Sequence, residues 1–498
     1  MQFGWCCLIA VLALLPTPAT RHKHHPQKKP KVSATVSNSD AGKLFDAGLT
    51  AFENEHPQAA LDNWRRSARK DPRSPLAHLF ISLATTDPQE QKKEQRSAQT
   101  LAARATKRDR LLVRWLSGAE EEQYVPAITA MNDLLASYPN DKHIAFLAGR
   151  WLVSQEQYEA GAKPLRRATE LDNTYAAAWN QLAYCYAYTG DFSNAFAAME
   201  RYTALLPKDP NPQDSYAEIL RMAGNFRDAL GHYRRALQID PTFQASQEGI
   251  ADTYALMGEE ATARSEYDKA ISQASTRSDQ IRYAMQSALT YVREKKERRS
   301  MAALDSAANK ARDAHLPLLE SEAYRDMALI ERDNQQSLRF LDKASAALAT
   351  SSDTSGPEFH QERGEVLRAR AVRTAAAGNP AGAAQALKEL EQLVKDTRGS
   401  ALSRSYAGAM GGVLTVDQKY AQAIPYLEED SGNPLSMRDL ITAYTKAGAA
   451  DRAHVLELKL AGLNLPTAEQ ALVVPELRSK LAATKEKRSW LRRLTGTN

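Results

Sequence analysis

Small and apolar residues recur every 34 residues between about Arg108 and Arg277. Three columns of this period are Ala127, Gly161, Ala195, Ala229 and Ala263; Gly149, Ala183, Ala217 and Ala251; and Leu152, Tyr186, Leu220 and Tyr254. A fixed period of this length indicates a repeat protein, in which each unit buries its apolar face against its neighbours. Such chains are more often binding surfaces than catalysts.

Each unit is predicted to be a pair of helices. Apolar residues at spacing i, i+3, i+4, i+7 form one stripe, which is the pattern of a helix with one buried face. In one unit the first helix carries Trp179, Leu182, Ala183 and Tyr186, and the second carries Ala195, Met199 and Tyr202. The columns of small residues are expected where two helix backbones approach closely.

Glycine and proline mark the ends of the predicted helices. Gly190, Gly224 and Gly258 fall between the two stripes of successive units. Glycine suits a helix C-terminus because it adopts the left-handed conformation without steric cost. Pro207 and Pro241 are predicted to end second helices, since proline cannot continue the helical hydrogen-bond ladder.

This unit resembles the tetratricopeptide repeat, whose signature combines an aromatic residue, a leucine, small residues and a late proline. The matching residues are Trp179, Leu182, Ala183, Tyr186, Gly190, Ala195 and Pro207 in one unit, and Tyr216, Ala217, Gly224, Ala229, Tyr233, Ala236 and Pro241 in the next. The resemblance implies an all-α, right-handed solenoid of about ten helix-turn-helix repeats. The period falters between 278 and 357, where a bend between two half-arrays is expected.

The same resemblance implies a binding groove, because first helices line the concave face in this family and ligand peptides lie there. The positions that flank the first-helix stripes are Phe146, Arg150, Asn180, Tyr184, Tyr188, Asp214, Glu218, Arg221, Glu248 and Asp252. Aromatic and amide groups give way to four carboxylates along this series. We therefore expect a protein or peptide partner with basic or aromatic residues. The alternatives are a merely solvated face and a groove that is occupied by one of the chain's own basic tails.

The chain is divided by composition into six segments. We predict a signal peptide (1–19), a basic tether (20–40), an N-terminal array (41–349), a linker (350–357), further repeats (358–463) and a basic C-terminal capping helix and tail (464–498).

The apolar run at residues 5–15 is too short to span a bilayer and fits the core of a signal peptide, with cleavage near Ala19. A periplasmic or secreted protein of bacterial type is expected; the alternatives are an uncleaved anchor and a misassigned start. Cys185 would then be the sole cysteine left, and it is expected to be buried in the helix packing.

Charge separates the tails from the repeats. The formal net charge is +5, while residues 20–31 carry five positive charges and residues 478–498 a net six, which leaves −6 for the rest. This balance argues against nucleic acid as a partner, because binding it needs clustered positive charge. Membrane contact is expected to be at most peripheral, through the basic tails.

Sequence motifs of catalysis, cofactor binding and metal binding are absent. We therefore predict a non-catalytic scaffold in the cell envelope that uses no cofactor and no metal. Two other classes stay open: an accessory subunit of polysaccharide or peptidoglycan synthesis or export, and an enzyme with an unrecognised site.

Overall fold

The fold is described from a computed structural model, which covers residues 40–483 except 55, 122, 355, 398 and 399. The predicted signal peptide, nearly all of the tether and the basic tail beyond residue 483 lie outside the described residues. Within them every element is a helix, and the chain divides into two compact units between Cys185 and Tyr186.

The first unit contains eight helices and most of a ninth. They are α1 (Asp40–Glu53), α2 (Pro57–Lys70), α3 (Pro75–Ala84), α4 (Pro88–Ala102), α5 (Lys107–Glu120), α6 (Tyr124–Ser137), α7 (Lys142–Ser154), α8 (Tyr158–Leu171) and α9 (Ala176–Tyr188). Each odd-numbered helix from α1 to α7 packs against the even-numbered helix that follows it. The predicted helix pairs are confirmed.

The second unit continues the same arrangement. Its helices are α10 (Phe192–Leu205), α11 (Pro210–Met222), α12 (Phe226–Ile239), α13 (Gln244–Met257), α14 (Glu260–Gln273), α15 (Arg277–Arg293), α16 (Glu297–Asp313), α17 (Pro317–Ile330), α18 (Asn334–Leu348), α19 (Pro357–Ala376), α20 (Pro380–Thr397), α21 (Ser400–Val416), α22 (Tyr420–Glu429), α23 (Pro434–Lys446), α24 (Ala450–Ala461) and α25 (Ala468–Ala483). The described residues thus hold twelve pairs and one further helix, where about ten pairs were expected. The predicted linker at 350–357 lies inside this unit and joins α18 to α19.

The columns of small residues lie where paired helices touch. Ala195, Ala229 and Ala263 are fully buried. At Gly149, an added Cβ would lie 2.9 Å from Leu165 Cδ2 of the partner helix. A larger side chain would push the helices apart, which explains why only glycine and alanine occupy these columns.

Turns within the pairs use the left-handed conformation. Gly190, Gly224 and Gly258 have φ between 81° and 83°, as predicted for C-terminal glycines. In pairs that lack the glycine, Glu156 and Lys295 take the same role with φ of 56° and 58°. The helix pairs of the 278–349 region therefore persist although their glycine signal is lost.

The last helix does more than continue the series. α25 packs on α23 and α24, as a following first helix should, and it also contacts α15 and α17. The helices from α15 to α25 therefore close on themselves within the second unit.

Candidate functional site

The structure describes all ten predicted groove residues. Phe146, Arg150, Asn180 and Tyr184 belong to the first unit, and Tyr188, Asp214, Glu218, Arg221, Glu248 and Asp252 belong to the second. We call the side of the odd-numbered helices that carries them the inner face. Ligand binding by these residues stays a prediction, whereas their burial and partners can be stated for each unit.

In the first unit, the end of α1 lies on the inner face of α7. Arg150 places its guanidinium 4.2 Å from the centre of the Phe52 ring, and its Nη1 donates to the Phe52 carbonyl at 3.4 Å. About two turns earlier on α7, His143 Nδ1 lies 2.8 Å from Glu53 Oε1. Phe146 lies between these contacts and is 1% exposed. Its expected place in an open groove is therefore wrong, because its own chain covers it.

Glu53, at the end of α1, contacts α7 and the turn before α9, a connection that the sequence did not predict. Besides the contact with His143, its Oε1 accepts a hydrogen bond from the Tyr175 hydroxyl at 2.5 Å. Burial and the neighbouring Glu53 carboxylate raise the pKa of Tyr175 well above its usual value. These partners are 90 and 122 residues away from Glu53 in the chain, so no local pattern could reveal the cluster.

Asn180, on α9, has an unsatisfied acceptor. The residue is 6% exposed, and its Oδ1 has no hydrogen-bond partner within the described structure. Leaving a buried carbonyl without a donor costs free energy. An N–H or O–H group of a ligand would satisfy it. Tyr184, one turn further along α9, is half-buried.

In the second unit, two of the predicted groove residues are already paired with each other. Arg221 Nη1 donates to Asp252 Oδ2 at 2.6 Å, and the Tyr267 hydroxyl donates to Asp252 Oδ1 at 2.5 Å. Asp252 is 5% exposed and Arg221 6%. The prediction that Asp252 is available to pair with a partner's lysine or arginine is therefore wrong, because buried charges need a partner within the fold.

Asp214 and Glu248 differ from this pair. Both are half-buried, and no cationic group of the described chain lies within 4 Å of either carboxylate. Asp214 accepts a hydrogen bond from Ser246 Oγ at 2.6 Å. Burial raises the pKa of Asp214 to about 7, and burial together with Asp252 raises the pKa of Glu248. Ionising these side chains is costly until a cation approaches.

The two remaining residues are more open. Tyr188, at the end of α9, is 48% exposed and remains a candidate for flat contact with a ligand. Glu218 is half-buried, and its Oε1 lies 3.7 Å from Arg221 Nη2. Asp214, Glu218 and Glu248 thus form the accessible part of the predicted acidic series.

Further along the second unit, a row of buried ion pairs was missed by sequence reasoning. Arg325 Nε donates to Glu362 Oε2 at 3.0 Å, and its Nη1 lies 3.8 Å from Glu469 Oε1 of α25. Arg368 Nη2 donates to Asp430 Oδ2 at 2.6 Å. The available signal was weak: an arginine between apolar neighbours, as in Leu367-Arg368-Ala369, indicates a charge that enters the packed interior.

These pairs border a cavity of about 770 Å³ among α15, α17, α19, α21, α23 and α25. Seven arginine or lysine side chains and six carboxylates line it, among them Arg368, Arg373, Glu365 and Glu469. A cavity volume of this order is typical of sites that bind small molecules. The lining favours a polar, charged ligand over an apolar one.

Neither a metal site nor a membrane span is found among the described residues. In the described part of the chain, no group of three histidine, cysteine, aspartate or glutamate side chains is placed to hold a metal ion. None of the described helices has the length and hydropathy to span a membrane. Cys185 is fully buried, as predicted, and burial raises the pKa of its thiol to about 12.

Comparison with known proteins gives fragmentary matches. No family model matches the chain. A BBSome complex member of Xenopus tropicalis, BBS4, is 27% identical over 114 residues, which are 23% of this chain and 22% of that protein. The chain thus spans about a fifth of that relative's length.

Solved structures of tetratricopeptide repeat proteins match larger parts. The MamA protein is 18% identical over 34% of this chain and 91% of its own, with a TM-score of 0.31. A tetratricopeptide repeat protein from Parabacteroides merdae is 12% identical over 61% of this chain and 98% of its own, with a TM-score of 0.35. A thermophilic one from Thermus thermophilus, TTC0263, is 19% identical over 43% and 98%, with a TM-score of 0.28.

The chain's own features define its class: a 34-residue period, successive helix pairs and buried small columns at every helix contact that the period predicts. The chain is an all-α protein of successive helix pairs, and its repeat unit resembles the tetratricopeptide repeat.

Proposed function

We propose that this protein is a non-catalytic scaffold of the cell envelope that binds an extended, basic segment of a partner protein on the inner face of α11 and α13. The observation that carries the proposal is the half-buried pair Asp214 and Glu248, carboxylates without a cation within 4 Å in the described chain. A lysine or arginine of the partner would supply the missing charge. Tyr188 and Asn180 offer further polar and aromatic contacts, each within its own unit.

The raised carboxylate pKa values make this proposal testable through pH. Asp214, with a pKa of about 7, is largely protonated at pH 6 and ionised at pH 8. Only the ionised form pairs with a cation, so affinity for a lysine-rich peptide should rise between pH 6 and pH 8 and fall with added salt. An acidic peptide of equal length should bind weakly at both pH values.

The experiment is a calorimetric titration of the full chain with both peptides. The variant that combines Asp214→Asn and Glu248→Gln should lose the pH dependence while keeping side-chain volume. Asp268→Asn, an exposed change on α14, is the matched control. Equal binding of both peptides, or an affinity that ignores pH and salt, would remove the electrostatic basis of the proposal.

The envelope location rests on the apolar run at residues 5–15. N-terminal sequencing of the mature protein from fractionated cells tests it. A mature chain that begins near Thr20 in the exported fraction supports the proposal, and a chain retained in the cytoplasm with its initiator methionine contradicts it.

A further inference from the structure

The C-terminal segment (residues 462–483) forms hydrogen bonds with the C-terminal ends of two earlier helices of the second unit. Asn464 Nδ2 donates to the carbonyl of Met222 at 3.2 Å, and Arg478 Nη1 donates to the carbonyl of Leu256 at 3.3 Å. Met222 and Leu256 are at the C-terminal ends of α11 and α13, where helix carbonyls lack intrahelical partners. The segment therefore caps both helices. We call this contact of residues 462–483 with α11, α13, α15 and α17 the seam.

The two sides of α25 are built differently. Ala468 and Ala471 join a core made mainly by α15 to α19. Val473 and Val474 join the core of α22 to α24, the helices that immediately precede α25. Alanine buries much less apolar area than valine, and hydrophobic stabilisation is proportional to that area. Leu472 packs against both cores and Leu477 against that of α22 to α24 alone, so the helix buries more apolar side chain against its own neighbours than across the seam.

The polar contacts across the seam are also of a reversible kind. Glu469 Oε1 lies 3.8 Å from Arg325 Nη1, beyond hydrogen-bond length. Arg478 is satisfied mostly by carbonyl groups, and burial, together with the like charge of Arg293, lowers its pKa to about 10. Each of these groups can be hydrated when the seam parts.

α25 is also a wall of the charged cavity. Glu469, Ala471, Leu472, Pro475 and Glu476 line it together with residues of α17, α19 and α23. A displacement of α25 away from α15 and α17 would open the cavity towards solvent without unfolding any helix pair.

We propose that the seam opens and closes while the helix pairs stay folded, and that α25 thereby acts as a gate that controls access of a charged ligand to the cavity. This inference concerns the cavity of α15 to α25 and does not depend on the basic-peptide site proposed on α11 and α13.

Thiol labelling of a matched pair of cysteine variants tests the gate in the full chain. Ala471→Cys places a thiol in the seam, where the alanine is 3% exposed, and Ala443→Cys places one in the α23 core, where it is 0% exposed. If the seam opens locally, Cys at 471 reacts with a maleimide at least about tenfold faster than Cys at 443, because only global unfolding exposes the latter. Peptide mass spectrometry assigns each label to its site.

Two substitutions should change this rate selectively. Glu469→Gln removes the charge that faces Arg325, and Asn464→Ala removes the cap on α11. Each should accelerate labelling at 471 about fivefold, the equivalent of about 1 kcal/mol, and leave labelling at 443 unchanged. Lys480→Gln, an exposed change on the same helix, should alter neither rate.

The proposal is overturned if both thiols react at the same rate, or if the substitutions accelerate both sites equally. Either result would mean that α25 leaves the seam only when the unit unfolds. If Ala471→Cys itself disturbs folding, as judged by circular dichroism, Ala468→Cys gives the same comparison from the same core. These outcomes are independent of peptide titration at α11 and α13, so failure of one proposal does not imply failure of the other.

Discussion

At the residue scale, the side chains that flank the first-helix stripes have very different roles although the repeat makes them equivalent. Phe146 and Asp252 are buried and engaged within the fold, while Asp214 and Glu248 are half-buried, with no cation of the described chain within 4 Å of either carboxylate. Whether such a side chain is bonded within the fold or accessible to a ligand depends on the residue that faces it. Asp252 forms an internal ion pair because its carboxylate faces Arg221. Asp214 faces the neutral Ser246 hydroxyl, so its carboxylate can still pair with a cation of a ligand.

The raised pKa of Asp214 predicts a pH-dependent stability. The usual pKa of an aspartate is 3.8, and burial raises that of Asp214 to about 7 in the folded protein. Between these values the folded state holds a proton that the unfolded state has released, so the free energy of unfolding falls as pH rises from about 4 to 7 and levels off above that. Asp214→Asn should make this decline shallower and raise the melting temperature at pH 8. Melting curves from pH 5.5 to 8.5, with Asp268→Asn as the control, measure the effect; parallel declines in both variants would contradict it.

The buried Glu53 predicts a large local loss of stability. Glu53→Ala removes the acceptor shared by the Tyr175 hydroxyl and His143, which leaves buried polar groups unsatisfied. We expect the free energy of unfolding to fall by about 1–3 kcal/mol. Urea denaturation followed by circular dichroism measures it, with Glu170→Ala at an exposed position of α8 as the control. A loss no greater than that of the control would show that the cluster does not stabilise the first unit.

At the element scale, two glycines in helices predict opposite effects of the same substitution. A Cβ at Gly408 of α21 would lie 2.7 Å from Arg368 Nη2 and closer still to Asp430, so Gly408→Ala breaks a buried ion pair. Loss of such a pair costs about 3 kcal/mol or more. Gly231 of α12 has nothing within 4 Å of its Cβ position, so Gly231→Ala should stabilise by roughly 0.5–1 kcal/mol through helix propensity. Thermal unfolding of both variants checks the signs, and a neutral Gly408→Ala would contradict the assigned role.

Helices and their ends could be predicted from sequence because their causes are local. The stripe of Trp179 and Leu182 and the stops at Pro207 and Pro241 act within one or two turns. The end of α1 on α7, by contrast, depends on contacts between residues 90 or more positions apart. The same holds for Arg478 on the end of α13, 222 residues earlier in the chain. The period predicts each repeat and its neighbours, but not how the inner face meets distant segments.

At the scale of the whole molecule, the repeat architecture determines how stability is distributed. Helix pairs contact mainly the pairs before and after them, and stability in such a chain is approximately a sum of local and nearest-neighbour terms. The seam is the exception in the second unit, because residues 462–483 bond to residues 242 and 222 positions earlier in the chain. A substitution should therefore weaken its own neighbourhood far more than remote repeats.

Gly408→Ala tests this locality across the full chain. The variant should accelerate amide hydrogen exchange in α19 to α24 by about tenfold or more, because its damage is confined to the ion pair of Arg368 and Asp430 and the helices that hold it. Exchange in α1 to α8 should change less than about twofold, since no contact of that ion pair lies in the first unit. Peptide-resolved mass spectrometry in native buffer measures both, and Gly231→Ala provides a control of the same chemical size. Uniform acceleration of exchange from α1 to α25 would mean that the chain unfolds as one cooperative body. In that case α25 could not leave the seam while the helix pairs stay folded.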